Sequence, residues 1–301
     1  MIVSGRASQS LAAALAAELD ETLVETDRTR FPDGEVRVDL DSRDGPGSAS
    51  DTEASIGGDT QQRALLVAAT TSADAFVEVL QLQDALRGAG VGEIATILPY
   101  MGYARQDRAF EPGQPVSARA MARAIGIGTD RVLLVNPHEE SVADFFDVPS
   151  RVLDAAPRLA EPLPDLSDPV FFAPDAGAIG LAEAVNETYG TGTTDYFEKT
   201  RQSGDEIEIS PHETDVRDRD LVLVDDIVAT GRTMAETIAL LRQRDAARVY
   251  GTCVHPVLAD GAYTRLINAG VEAIYGTDTV ERPASAVSVA PTIAEALRNP
   301  K

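Results

Sequence analysis

Tryptophan is absent from this 301-residue chain, cysteine occurs once and histidine three times. A single cysteine, Cys253, permits no disulfide within the chain, and no Cys/His cluster has the spacing of a zinc site. Cys253 falls in the strand-like run Val249–Val254, where a small buried hydrophobe is expected. No apolar run approaches the roughly 20 residues of a membrane span. The first residues have neither the basic start nor the long apolar core of a secretion signal, so a cytoplasmic enzyme is expected. Basic charge is also scarce: 26 Lys and Arg face 49 Asp and Glu, for a net charge of −23. That balance argues against nucleic acid and acidic membranes as partners, since both are polyanions. The acidity is spread along the chain rather than gathered in a tail. It reads as a solvated surface suited to high salt, where screening relieves self-repulsion. Lysine is nearly missing, with Lys199 and the terminal Lys301 as its only examples.

What is present is enough for real cores. Hydrophobic residues make up 44% of the chain, and the length suggests two domains or one large one. Strand and helix patterns alternate from end to end, which predicts an α/β fold of two related doubly wound domains with mainly parallel sheets. A turn-rich boundary at Phe145–Pro149 divides an N-terminal domain, 1–147, from a C-terminal one, 148–289, with the last helix, 290–301, joining the first. From Asp41 to about Gln62 the chain is Asp, Ser, Gly and Thr with few apolar residues, a solvated and mobile insertion.

The most informative stretch is Leu221–Thr233. Four apolar residues, Leu221–Val224, have the length and branching of a buried parallel strand. Asp225 and Asp226 follow, then the small turn Ala229-Thr230-Gly231, and Thr233 opens an apolar-periodic helix. Such a strand–turn–helix presents backbone N–H groups and a positive dipole end to an anion, normally phosphate. Its plain alternative is an ordinary turn in which the Asp pair caps the helix or faces solvent.

Other segments stand at the same kind of position, just past a strand. The loop after Glu93–Leu98 gathers Tyr100, Tyr103, Arg105, Gln106, Asp107 and Arg108, a concentration suited to pairing phosphates and packing on a ring. His138 follows the strand Val132–Val135, and Asp175 follows Val170–Ala173. Phe31-Pro32-Asp33-Gly34-Glu35 is a turn-forming segment ahead of the strand Val36–Leu40. Lys199 and Arg201 alternate where a strand runs into a polar loop, which taken plainly is an exposed β-hairpin.

The pattern at 221–233 resembles the 5-phosphoribosyl-1-pyrophosphate (PRPP) motif shared by type I phosphoribosyltransferases and PRPP synthases. Taken in order, the segments resemble the ribose-phosphate pyrophosphokinase (PRPP synthase) family across nearly the whole chain. The resemblance implies a type I phosphoribosyltransferase-like fold and the reaction ATP + ribose 5-phosphate → AMP + PRPP, with Mg²⁺ as cofactor. It implies ATP contacts from Phe31, Asp33, Glu35, Arg105, Gln106, Asp107 and His138, and metal contacts from His138 and Asp175. Ribose 5-phosphate would be held by Asp225, Asp226, Ala229, Thr230, Gly231, Arg232 and Thr233, and Lys199 and Arg201 would act from a mobile catalytic loop. Thr70-Thr71-Ser72 falls where the family has a pyrophosphate loop. The family forms dimers or hexamers, with the Phe31–Glu35 segment reaching a neighbouring subunit's ATP site. Two positions depart from the pattern: Ala229 stands where some members carry a third Asp, and Arg232 where Gly or Cys is common. A PRPP-consuming transferase would share 221–233 but needs neither the Arg105 loop nor a second α/β domain. A silent regulatory homologue would have lost parts of this set, and here the set is whole.

Overall fold

The structure, a computed structural model, describes residues 1–40, 62–201, 207–212 and 214–299, with the backbone alone at 199–201 and 207–210. The acidic stretch from Asp41 to Gln61 and the 202–206 segment therefore lie outside the described residues. The chain divides into two units, residues 1–154 with 290–301, and residues 155–289.

The first unit is built on a six-stranded sheet, β1 (Ile2–Ser4), β2 (Leu23–Val24), β5 (Arg63–Val67), β6 (Glu93–Leu98), β7 (Arg131–Val135) and β8 (Ser150–Leu153), in the order β2-β1-β5-β6-β7-β8. Every pairing in it is parallel. The unit reaches Asp154 rather than Asp147, because Ser150–Leu153 pairs with β7 and completes the sheet. Strands buried on both faces read as continuous apolar runs, and Ala64–Val67 and Ile97–Leu98 are accordingly at 0% exposure. Helices α1 (Gln9–Leu19), α2 (Ala73–Gly88), α3 (Ser117–Ile127) and the C-terminal α7 (Ala290–Arg298) accompany the sheet. α2 begins where the Ser72 hydroxyl accepts a hydrogen bond from the Ala75 N–H, with Asp74 in the first turn to complement the helix dipole. Its Phe76, Val79, Leu82 and Leu86, three or four residues apart, enter the core. Full burial of each such side chain contributes about 1.5–3 kcal/mol.

An antiparallel hairpin, β3 (Thr26–Arg30) and β4 (Val36–Leu40), stands outside this sheet. It rests on α2, where Gln81 accepts from the Val38 N–H at 3.1 Å and donates to the Val36 carbonyl at 2.8 Å. Arg28 and Arg30 both pair with Asp74.

The second unit carries a seven-stranded sheet in the order β11-β10-β9-β12-β13-β14-β15. Its strands are β9 (Val170–Ala173), β10 (Thr193–Arg201), β11 (Ile207–Pro211), β12 (Asp220–Ile227), β13 (Arg248–His255), β14 (Ala273–Thr277) and β15 (Ser285–Val287). Only β11 runs antiparallel, forming a hairpin with β10. Helices α4 (Ile179–Tyr189), α5 (Arg232–Gln243) and α6 (Ala262–Ala269) complete the unit. Its core gathers Phe172, Phe197, Leu221, Leu223, Ile238, Leu241, Cys253 and Leu266. Among the described residues no helix is long and apolar enough to cross a membrane.

Both sheets contain a reversal of strand order, between β1 and β5 in the first and between β9 and β12 in the second. The crevice outside the carboxyl ends of the strands at such a switch point is where open α/β sheets place ligands.

Candidate active site

In the second unit the switch point collects the acidic residues. β12 does not stop at its apolar run; its parallel pairing with β13 continues through Asp225 opposite Cys253 and Ile227 opposite His255. β9 pairs with β12 up to Phe172 opposite Leu223, so Asp175 and the Asp225–Asp226 pair leave adjacent strands at one edge of the sheet. β10 lies on the other side of β9 and runs five residues further at that edge, from Phe197 to Arg201, carrying the backbone of Lys199 and Arg201. These residues belong to a strand rather than a loop, and their side chains lie outside the described residues. The hairpin is closed at its base by Tyr196 stacked on His212, ring centroids 4.5 Å apart, and by His212 Nδ1 at 2.7 Å from Glu198 Oε1.

Each acid in this group is turned by a local bond. Asp175 is exposed, and its Oδ1 accepts from the N–H groups of Gly177 at 3.0 Å and Ala178 at 3.3 Å. Asp225 Oδ1 accepts from the Asp226 N–H at 2.9 Å, and Asp226 Oδ1 from the Ile227 N–H at 2.7 Å. Both carboxylates are half-buried. A small pocket beside Asp225 is lined by Phe172 and Phe197, whose rings stack 4.8 Å apart, and by Leu223, Thr233, Met234 and Thr237.

The turn that follows is held from behind. Val228 donates to the His255 carbonyl at 3.2 Å, and the Val228 and Ala229 carbonyls accept from Leu258 and Ala259 at 2.9 Å each. Arg265 donates to the Thr230 carbonyl. Gly231 adopts φ +66° and caps α5 without a side-chain hydrogen bond, so α5 starts at Arg232, one residue before Thr233. A Cβ at Gly231 would press on Leu266 and Ala262 of α6 as well as strain the backbone. Thr230, Arg232 and Thr233 are exposed and Ala229 is half-buried. The brace from 258, 259 and 265 carries no sequence periodicity, and the motif alone does not disclose it.

In the first unit the carboxyl ends of β5, β6 and β7 bring three predicted segments to one edge. Thr70 donates to the Tyr100 carbonyl through its N–H at 2.9 Å, and its Oγ1 accepts from the Gly102 N–H at 2.8 Å. A Cβ at Gly102 would collide with the Thr70 carbonyl oxygen, so glycine lets the loop of Arg105 lie against the β5–α2 turn. Tyr103 takes φ +66°, and Gln106 is fixed by Ser117 at the start of α3, whose hydroxyl donates to its Oε1. Arg105 is exposed, and Gln106 and Asp107 are half-buried. His138 is exposed two residues after Asn136, which takes φ +35° and donates to Asp154 at 2.7 Å. Phe31, Asp33 and Glu35 are carried by a different element, the exposed tip of the β3–β4 hairpin. There Gly34 takes φ +98° and Phe31 is 38% exposed.

Among the described residues no three His, Cys, Asp or Glu side chains cluster in a geometry that holds a metal. The described donors at the second unit's edge, Asp175, Asp225 and Asp226, are all carboxylates, hard oxygen ligands of the kind magnesium takes.

Comparison with known proteins bears on both units. Residues 1–127 match the family model described as the N-terminal domain of ribose phosphate pyrophosphokinase, and residues 151–274 match the phosphoribosyl transferase domain. The chain is 56% identical over 298 residues to a ribose-phosphate pyrophosphokinase of Halobacterium salinarum, covering 99% of this chain and 100% of the relative. It is 44% identical to one from Methanosarcina mazei, covering 98% and 94% respectively. Its structure is similar to the crystal structure of phosphoribosylpyrophosphate synthetase from Mycobacterium smegmatis, with a TM-score of 0.78, 27% identity, and 99% and 97% coverage.

Proposed function

The chain belongs to the ribose-phosphate pyrophosphokinase family, and from that premise we propose how its own residues serve the reaction. The reaction is ATP + ribose 5-phosphate → AMP + PRPP, a step that feeds nucleotide biosynthesis. The anomeric hydroxyl oxygen bonds to the β-phosphorus of ATP and gives up its proton to solvent, the β-phosphorus separates from the oxygen it shares with the α-phosphorus, and AMP departs with that oxygen. Such a displacement needs in-line positioning and cancellation of charge on the transferring oxygens rather than covalent participation by the protein.

The observation that carries the assignment of roles is the edge of the second sheet, where Asp175, the Asp225–Asp226 pair and the braced turn 229–231 stand together. Asp225 and Asp226 orient the ribose hydroxyls. The backbone of Ala229, Thr230 and Gly231, with Arg232 and Thr233 at the first turn of α5, holds the 5-phosphate. In the first unit Arg105, Gln106 and Asp107 bind the nucleotide, with His138 beside its phosphates. Asp175, a carboxylate at the edge of the second sheet, is a residue that would hold magnesium, which when bound offsets negative charge on the phosphate oxygens. Lys199 and Arg201 supply cations to the transferring group. The exposed tip bearing Phe31, Asp33 and Glu35 contributes to the nucleotide site of a second copy, which makes a homo-oligomer, dimer or hexamer, the working form.

The assignment is tested by offering the purified protein two substrate sets. With ATP, Mg²⁺ and ribose 5-phosphate it forms AMP and PRPP; with PRPP and a nucleobase it forms no nucleotide. Nucleotide formation from the second set alone would mean a phosphoribosyltransferase, and inactivity with both would mean a silent homologue.

A further inference from the structure

We propose that Arg265, on α6, is a positioning residue for the sugar-phosphate turn, with the β13–α6 connection as its frame. Its guanidinium bridges two carbonyls, donating to Thr230 and, at 3.4 Å, to Asp260. Leu258 and Ala259 of the same connection hold the two preceding carbonyls of the turn, those of Val228 and Ala229. Three successive carbonyls of the turn are thus engaged by one segment of chain.

The consequence follows from the planarity of the trans peptide, in which the N–H points opposite to the C=O of the residue before it. Fixing the carbonyls of 228, 229 and 230 toward the connection turns the N–H groups of Ala229, Thr230 and Gly231 away from it. Successive N–H groups so oriented form a concavity for an anion. The connection is itself an unusual piece of backbone: Leu258, Asp260 and Gly261 have φ of 48°, 51° and 74°. Non-glycine residues in the left-handed region persist where the surroundings over-determine them. Here the bonds to 228 and 229 and the fork of Arg265 provide that constraint. A planar guanidinium reaches two carbonyls at fixed spacing, which a lysine ammonium does not reproduce.

This role rests on the reading of 229–231 as the ribose 5-phosphate turn. The test compares steady-state kinetics of wild type, Arg265→Ala, Arg265→Lys and a control, Arg242→Ala. Arg242 likewise braces carbonyls, those of Gly270 at 2.9 Å and Ala247 at 2.8 Å, but away from the turn. Loss of the fork is expected to raise KM for ribose 5-phosphate about tenfold in Arg265→Ala while KM for ATP stays within about twofold, with Arg265→Lys between it and wild type. Arg242→Ala is expected to lower the melting temperature without that split. An unchanged KM for ribose 5-phosphate in Arg265→Ala, or a rise in both KM values together, would overturn the proposal. If Arg265→Ala does not fold, Arg265→Lys decides by the same split. Wild type inactive with ribose 5-phosphate would instead remove the site assignment on which the brace rests.

Discussion

Lys199 stands alone as an internal lysine in a chain that otherwise uses arginine. An ammonium is a compact point charge on a flexible stem, whereas guanidinium is a planar fork suited to static pairing. The proposed assignment of Lys199 to the transferring phosphates rests on that contrast and on its place in β10 beyond the last pair with β9, Tyr196 opposite Ala173. Lys199→Ala is expected to lower kcat by roughly 10²-fold while leaving KM for ribose 5-phosphate nearly unchanged, as for the loss of one preorganised charge. Stopped-assay kinetics check this, and an unchanged kcat would take Lys199 out of the reaction. Ala229 illustrates the opposite case. The missing carboxylate at this position leaves the turn intact, because residue 229 is held through its carbonyl by Ala259 rather than through its side chain. Cys253 is fully buried opposite Asp225. Burial, with the Asp225 charge next, pushes its thiol pKa up, so it packs as a small hydrophobe.

Among the elements, those with a buried face were legible in the sequence and those without one were not. Glu93–Leu98 and Val170–Ala173 have the bounds their apolar runs predict. β3, Thr-Asp-Arg-Thr-Arg, has no apolar residue and no buried position, so no hydrophobic pattern marks it. Its order comes from β4 and from the two arginines on Asp74. β12 extends past its apolar run because the backbone ladder with β13, which does not depend on side-chain type, continues to Ile227. The acidic pair and the Arg105 loop could be located from sequence because each follows an apolar run. The carbonyl brace behind 229–231 could not, since any residue offers a backbone N–H. α2 carries one feature with a pH signature, Glu78, which is 4% exposed and accepts from the Arg6 N–H at 3.2 Å. Burial raises its pKa, and the Arg6 N–H and the charges of Arg28 and Arg6 only partly offset this. The folded state therefore keeps a proton that the unfolded chain releases near pH 4.3, so this group's contribution falls as pH rises from there through the folded pKa. Glu78→Gln keeps an acceptor for Arg6 and removes the ionisation. Urea unfolding from about pH 4 to about pH 8 should show the variant gaining on wild type as pH rises. A difference independent of pH would contradict the ionisation.

At the scale of the whole molecule, the charge of −23 sets two conditions. Self-repulsion is relieved when the Debye length is short, about 3 Å at 1 M salt against about 30 Å at 0.01 M. The melting temperature is expected to fall on dialysis from molar to millimolar salt, and an unchanged melting temperature would contradict a surface adapted to screening. The second condition concerns the substrates, which are themselves polyanions. The overall field repels them, so binding must come from local features, which in the proposed assignment are the N–H groups of the turn, Arg105, Lys199, Arg201 and magnesium. The direct test is ATP labelled at the β-phosphorus, incubated with the protein, Mg²⁺ and ribose 5-phosphate. The account predicts unlabelled AMP and all transferred label in the sugar 1-diphosphate. Label retained in ADP would show transfer of the γ-phosphoryl group alone and contradict it.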